Sequence, residues 1–393
     1  MVDGRRPLLP AMDALRAGAA LLVVSTHTAV AYMDVQVPGL VWAIHDRSSS
    51  RLAEWIFWWG NGVSMPLFFL LAGFFAAMVC NERGPGEFLR HRTKRLLLPF
   101  VAGCVVILPI TFYVWAGGWL LAGRCTGTEI LRVQFDASIQ PNLYGPAHLW
   151  FLEYLFLLCL LFAAVEFFRT RNPRSIRVGA PLLFIGATAL ILWVDPEAPI
   201  HFHNSFVPNP TRFFYYAIFF FTGVWLFRSG RRLVGSRWLG VLYVGVSLVA
   251  FCGVGWLLPL HLSAELTGLP RLFLVTAMVL FVWSSIFGLV GLAQHLVDRE
   301  YAAVSYVAAA SYWIYLVHFP LVGLTQVGLS QLPGPALVKY AAVFGVATVG
   351  SLLWYEHLVR HRFIGVWLNG RRRTPASEDR TPGASAGAVA EAR

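Results

Sequence analysis

Apolar residues gather in ten runs, at about 11–33, 55–79, 96–116, 147–168, 178–194, 212–227, 238–260, 271–296, 303–327 and 337–358, each bounded by charge or by Pro/Gly turns. A bilayer core of roughly 30 Å takes about 20 residues of helix, and a helix satisfies its own backbone polar groups in lipid. The pattern therefore predicts an all-α protein: a polytopic membrane bundle of about ten transmembrane helices. The first run is about twice as long as a signal-peptide core, so it is expected to stay as a span. The segment from Arg371 onward is rich in Ala, Gly, Pro and Ser and has no apolar period. The expected organisation is a transmembrane domain over 1–370 and a disordered cytoplasmic tail over 371–393.

Charge adds an orientation. Of 31 Lys and Arg, 23 lie in the N-terminus, the C-terminus and the loops after runs 2, 4, 6 and 8, seven lie in the alternate loops, and Arg16 is inside run 1. Basic residues stay on the cytoplasmic side, so both termini are expected there, in a bacterial inner membrane. The net charge of +11 is thus a topology signal and a possible rim for anionic lipid. With 57% hydrophobic and 13% charged residues, the composition excludes disorder, collagen, coiled coil and a nucleic-acid-binding domain. The five cysteines (Cys80, Cys104, Cys125, Cys159 and Cys252) show no metal or redox spacing and read as small core residues.

Ionisable groups at membrane depth are costly, so each is a functional candidate. Run 1 holds Asp13, Arg16 and His27. At 100° per residue the step from Arg16 to His27 is three turns plus about 20°, and Asp13 lies about 60° from Arg16, on the other side of His27, so all three share a face. Asp13 and Arg16 sit near the cytosolic edge and can pair with each other, with Arg16 snorkelling. His27 lies about 24 Å in. Run 9 places Ser311, Tyr315 and His318 on one face, with His318 some 22 Å deep. Glu153 lies roughly 9 Å from the outer edge of run 4, which suggests that two histidines and a carboxylate share one level. Each also has a plainer reading, as a core histidine bonded to a neighbouring helix or a carboxylate paired with an Arg or Tyr. His148, His201 and His203 lie in or next to outside loops, and the 201–203 pair reads as solvated. In RHRTKRLLLP, Arg92 and Arg95 stand one turn apart, where they can anchor run 3 or bind phosphates with Lys94.

Together these residues resemble the membrane acyltransferase 3 family, and within it the glucans biosynthesis protein C (periplasmic glucan acyltransferase) branch. The resemblance rests on Asp13, Leu15, Arg16 and His27 in run 1, Phe68, Phe69, Gly73 and Phe74 in run 2, the Arg92/Arg95 pair, HLWFL at 148–152 and SYWIYLVHFP at 311–320. Ala17 stands where the family usually has Gly, and His91 where it often has another Arg.

The resemblance implies a membrane-embedded O-acyltransferase that moves an acyl group from cytosolic acyl-CoA, such as acetyl-CoA or succinyl-CoA, to a hydroxyl of an extracytoplasmic carbohydrate. It implies an essential histidine at His27, an arginine at Arg16, and a donor site at Arg92, Lys94 and Arg95. Asp13, His318 and Glu153 complete the candidate catalytic set, with no metal and no nucleic-acid partner expected. An imidazole with an ordinary pKa of about 6.5 can take the acceptor's proton. The charge on the tetrahedral oxygen then needs a donor, and His318, Tyr315 or a backbone N–H near Pro320 are candidates. A transporter with Arg16, His27, Glu153 and His318 as an ion or proton path is the alternative.

Overall fold

A computed structural model describes residues 9–35, 39–135, 139–140, 143–171, 180–200, 202 and 204–360. The tail at 371–393, His201 and His203 lie outside the described residues, as do Arg5, Arg6, Arg174 and Arg177 of the charge count. Among the described residues there are helices and no strand. In chain order they are α1 (Leu9–Ala29), α2 (Arg51–Arg92), α3 (Leu98–Leu121), α4 (Gly127–Arg132), α5 (Trp150–Arg171), α6 (Ala180–Val194), α7 (Pro210–Ser229), α8 (Arg237–Ala264), α9 (Gly268–Leu296), α10 (Ala302–Leu329) and α11 (Ala336–Trp354).

Each expected run falls on a helix, and α4 is a short addition between runs 3 and 4. Among the described residues seven stretches are long and apolar enough to cross a membrane, one of them the 71-residue Arg51–Leu121, which holds both α2 and α3. α6 is an apolar helix of 15 residues, shorter than a full span. Large apolar side chains stand exposed around the bundle, such as Val105 at 70%, Leu182 at 77% and Val249 at 75%. So much bare apolar surface suits hydrocarbon, and the protein is a multi-pass membrane protein.

Helix ends carry their sequence signals. Ser50, Asn209 and Ser236 accept from backbone N–H groups at the starts of α2, α7 and α8, and Gly230 ends α7 at φ 61°. α2 runs well past residue 79, where the apolar signal stops. It breaks at Gly84, whose φ of 79° suits glycine, and restarts at Pro85, whose missing N–H is harmless in a first turn. This restarted piece carries Arg90 and Arg92 into a π-helical turn, Thr93–Leu97, and so into α3.

α1 lies inside the bundle against α2 and α10, and α8 pairs with α9. α2 and α7 meet almost backbone to backbone, because a Cβ on Gly73 would collide with Phe220 O and one on Gly223 with Leu70 O. At the Arg-rich end Glu166 of α5 binds Arg169 at 3.0 Å and Arg228 of α7 at 2.6 Å. At the other end the segment joining α1 to α2 is tied down by Lys339 of α11, whose Nζ stands 2.7 Å from Asp46 Oδ2.

Candidate functional site

His27 of α1 and His318 of α10 meet with His27 Nδ1 at 2.8 Å from His318 Nε2. The backbone fixes which nitrogen donates. His318 Nδ1 lies 2.9 Å from Ile314 O and 2.8 Å from Tyr315 O, both pure acceptors, so Nδ1 carries the proton and donates. With the rings neutral, His318 Nε2 holds only a lone pair and accepts from the Nδ1–H of His27. The remaining nitrogen, His27 Nε2, is then unprotonated and able to accept. His318 is fully buried, whereas His27 is half-buried and lines a cavity.

Aromatic rings wall this pair. Trp42 stacks over His27 with ring centres 6.0 Å apart, Phe319 meets it edge-on at 5.0 Å, and Trp115 stacks on Phe319 at 4.7 Å. Trp42 Nε1–H donates to Gln326 Oε1 at 2.7 Å, and Gln326 Nε2 donates to Thr28 O at 2.9 Å. Gln326, a buried amide of α10, thus fixes the indole against the end of α1. Trp42 and Gln326 escape a sequence reading that searches only for ionisable groups.

His148 lies next to the outside connection, as its position suggests, but it faces inward. It is buried, on a 3-10 turn (Ala147–Leu149) that opens α5, and its ring stacks on Phe319 at 4.5 Å. The reason lies in α10. Pro320 has no N–H for the carbonyl four residues earlier, which is Leu316 O, and His148 Nε2 donates to it at 3.1 Å. Tyr315 OH closes the link by donating to His148 O at 2.5 Å.

The cavity has a volume of about 570 Å³. Its walls run from His27 and Ser64 to the connecting segments around Val133, Tyr144 and Asn204. These segments follow α3 and α6, so they lie at the end of the bundle opposite Arg92 and Arg95. Among the described residues no Asp or Glu lines it, and none of Arg16, Arg92, Lys94 or Arg95 does.

The other candidates are dispersed. Asp13 and Arg16 pair at 3.1 Å, and the Arg16 guanidinium lies 5.4 Å from the centre of the Phe75 ring. Arg92 lies 5.3 Å from the centre of the Phe88 ring, and its Nε is buried with no hydrogen-bond partner among the described residues. Lys94 is exposed, and Arg95 is half-buried with its carbonyl accepting from Tyr312 OH at 2.9 Å. Glu153 joins neither histidine. It stands near Cys104 of α3, and its Oε2 is buried without a partner among the described residues. No group of three or more His, Cys, Asp or Glu able to hold a metal occurs among the described residues.

In comparison with known proteins, residues 9–356 match a family model described as an acyltransferase domain. No curated protein and no solved structure matches the chain.

Proposed function

The chain belongs to the acyltransferase 3 family, and from that premise we propose that this membrane acyltransferase takes an acyl group from cytosolic acyl-CoA and passes it to a hydroxyl of an extracytoplasmic glycan, with His27 as general base. The observation that carries this reading is the proton order of the imidazole pair. It leaves a lone pair on His27 Nε2, beside a cavity that extends to the end of the bundle opposite Arg92 and Arg95.

The acceptor enters the cavity and its hydroxyl donates to His27 Nε2. As the oxygen attacks the thioester carbon, His27 takes the proton, and His318 holds the Nδ1–H in place much as a carboxylate does in other acyl-transfer sites. The tetrahedral centre collapses, the C–S bond breaks, and His27 returns the proton to the departing thiolate. Thiolate leaves readily, so the reaction asks for no metal. At the Arg-rich end, Arg16, Arg92, Lys94 and Arg95 hold the phosphates of the coenzyme, with Asp13 orienting Arg16. Since no basic residue of that end lines the cavity, the narrow arm of the donor opens its own way along α1 and α10 to His27. Glu153 has no step in this scheme.

The test is release of free CoA from acetyl-CoA or succinyl-CoA by the protein in proteoliposomes. His27→Ala, inserted and folded, is expected to lower turnover by about 10²- to 10⁴-fold, the usual contribution of a positioned base. Turnover near the wild-type value in that variant would remove His27 as the base.

A further inference from the structure

The tetrahedral intermediate needs a hydrogen-bond donor for its oxyanion, and the donors expected from the sequence are engaged elsewhere. His318 spends its N–H on the carbonyls of Ile314 and Tyr315, and Tyr315 OH is held by His148 O. Pro320 frees a carbonyl and no N–H, and His148 already occupies that carbonyl. Around the cavity Trp42, Trp115 and Trp119 donate to Gln326, Val41 and Trp42, and Thr26 donates to Leu22 O.

Asn61 of α2 is different. It lines the cavity, is half-buried at membrane depth, and hydrogen-bonds to no described residue. Its place is fixed by the glycines on either side. A Cβ on Gly60 would strike Thr26 Oγ1, and one on Gly62 would strike the Phe281 ring, so α2 is pressed against α1 and α9. Thr26 immediately precedes His27, and Gly60 immediately precedes Asn61. The contact therefore sets the amide and the imidazole at neighbouring levels of two antiparallel helices. Ser64 and Thr111 also line the cavity. Thr111 Oγ1, however, is buried without a partner among the described residues, so it is shut in rather than presented to a ligand. The hydroxyl of Ser64 can turn back to the carbonyl of the preceding turn, whereas the half-buried amide of Asn61 keeps its N–H groups for a ligand.

We propose that Asn61 donates from its side-chain amide to the carbonyl oxygen of the acyl thioester and stabilises the oxyanion. This inference rests on the acyl-transfer reading above. When the acceptor oxygen bonds to the carbon, the π electrons of the C=O pass to that oxygen and the N–H···O bond of Asn61 strengthens. The charge returns to the double bond as the C–S bond breaks, and Asn61 neither gains nor loses a proton.

The experiment compares wild type with Asn61→Leu, which keeps the size and removes the donor, using CoA release from acetyl-CoA in proteoliposomes. The expected kcat is lower by about 10²- to 10³-fold with KM for acetyl-CoA within about twofold. The thermal midpoint is expected to be equal or higher, since an unpartnered amide leaves the bundle interior. Asn61→Leu with turnover within about threefold of wild type overturns the proposal. So does a lower midpoint with lost turnover, which marks Asn61 as structural, and so does a raised KM at unchanged kcat. Equal losses in Ser64→Ala or Thr111→Val, with Asn61→Leu active, also overturn it. If Asn61→Leu is active while His27→Ala is not, this inference fails and the acyl-transfer reading stands. A wild type that releases CoA from neither acetyl-CoA nor succinyl-CoA removes both.

Discussion

In the proposed reaction His318 matters without touching a substrate. Its contribution is an order of protons that runs from two backbone carbonyls through its own ring to His27. Replacement by Phe keeps an aromatic ring in the fully buried site but leaves His27 Nδ1 without an acceptor, so His27 is free to carry its proton on Nε2 and lose its basic face. His318→Phe is therefore expected to lower kcat by about 10²- to 10⁴-fold, as wrong tautomers do, with donor KM little changed. Steady-state CoA release checks this, and a raised donor KM at unchanged kcat would contradict it. At this scale the sequence is half legible. An imidazole far inside an apolar run stands out, so His27 and His318 are readable, and so is their common depth. Their contact is not, because it depends on the rotation of two helices about their axes. The inward role of His148, in or next to an outside loop by sequence, stays hidden because nothing in its own segment reveals the carbonyl that Pro320 leaves vacant. Asn61 hides for a related reason: an uncharged amide between two glycines hardly alters an apolar run.

Among the elements, the crossing of α2 and α7 is the most demanding. Gly73 and Gly223 each face a carbonyl of the other helix with no space for a methyl group. In lipid, close packing of small residues replaces the hydrophobic drive that joins helices in water. Gly73→Ala and Gly223→Ala are each expected to destabilise the fold by about 1–3 kcal/mol, the typical range for overpacking. Thermal unfolding in detergent measures this, and variants that unfold with wild type would show that the helices separate easily. The glycine at 73 is visible in the sequence, but its partner on α7 is not. Apolar runs locate the helices well because lipid asks for length and hydrophobicity and little else. They fail where other physics takes over. α2 continues beyond 79 because Gly84 turns the chain and Pro85 starts a new helix, and that second piece is too charged for a hydropathy signal to follow.

Over the whole molecule, a buried ion pair secures the cavity end. Asp46 and Lys339 are 2% and 8% exposed at their side chains, 2.7 Å apart, and join the α1–α2 connection to α11. The same connection carries Trp42, which covers His27. Burial raises the Asp46 carboxyl, but the hydrogen bonds from Lys339 and Ser48 outweigh it and hold the group below its ordinary 3.8. A lowered folded-state pKa means stability that is complete above the ordinary value and is lost as pH falls through the folded one. Lys339→Met, which strands the carboxylate, is expected to cost about 3–5 kcal/mol near neutral pH. Unfolding followed against pH should show its deficit shrinking only in acid, and a deficit constant to pH 2 would refute the assignment.

The imidazole pair also sets the electrical character of the enzyme. It ends on peptide carbonyls, which have no proton to hand onward, and among the described residues no carboxylate extends it. A wire for proton transport needs an exit at each face, and this one is a cul-de-sac. In the proposed reaction the proton that His27 takes from the acceptor goes to the departing thiolate within the same turnover, so with a neutral acyl group such as acetyl the cycle moves no net charge across the bilayer.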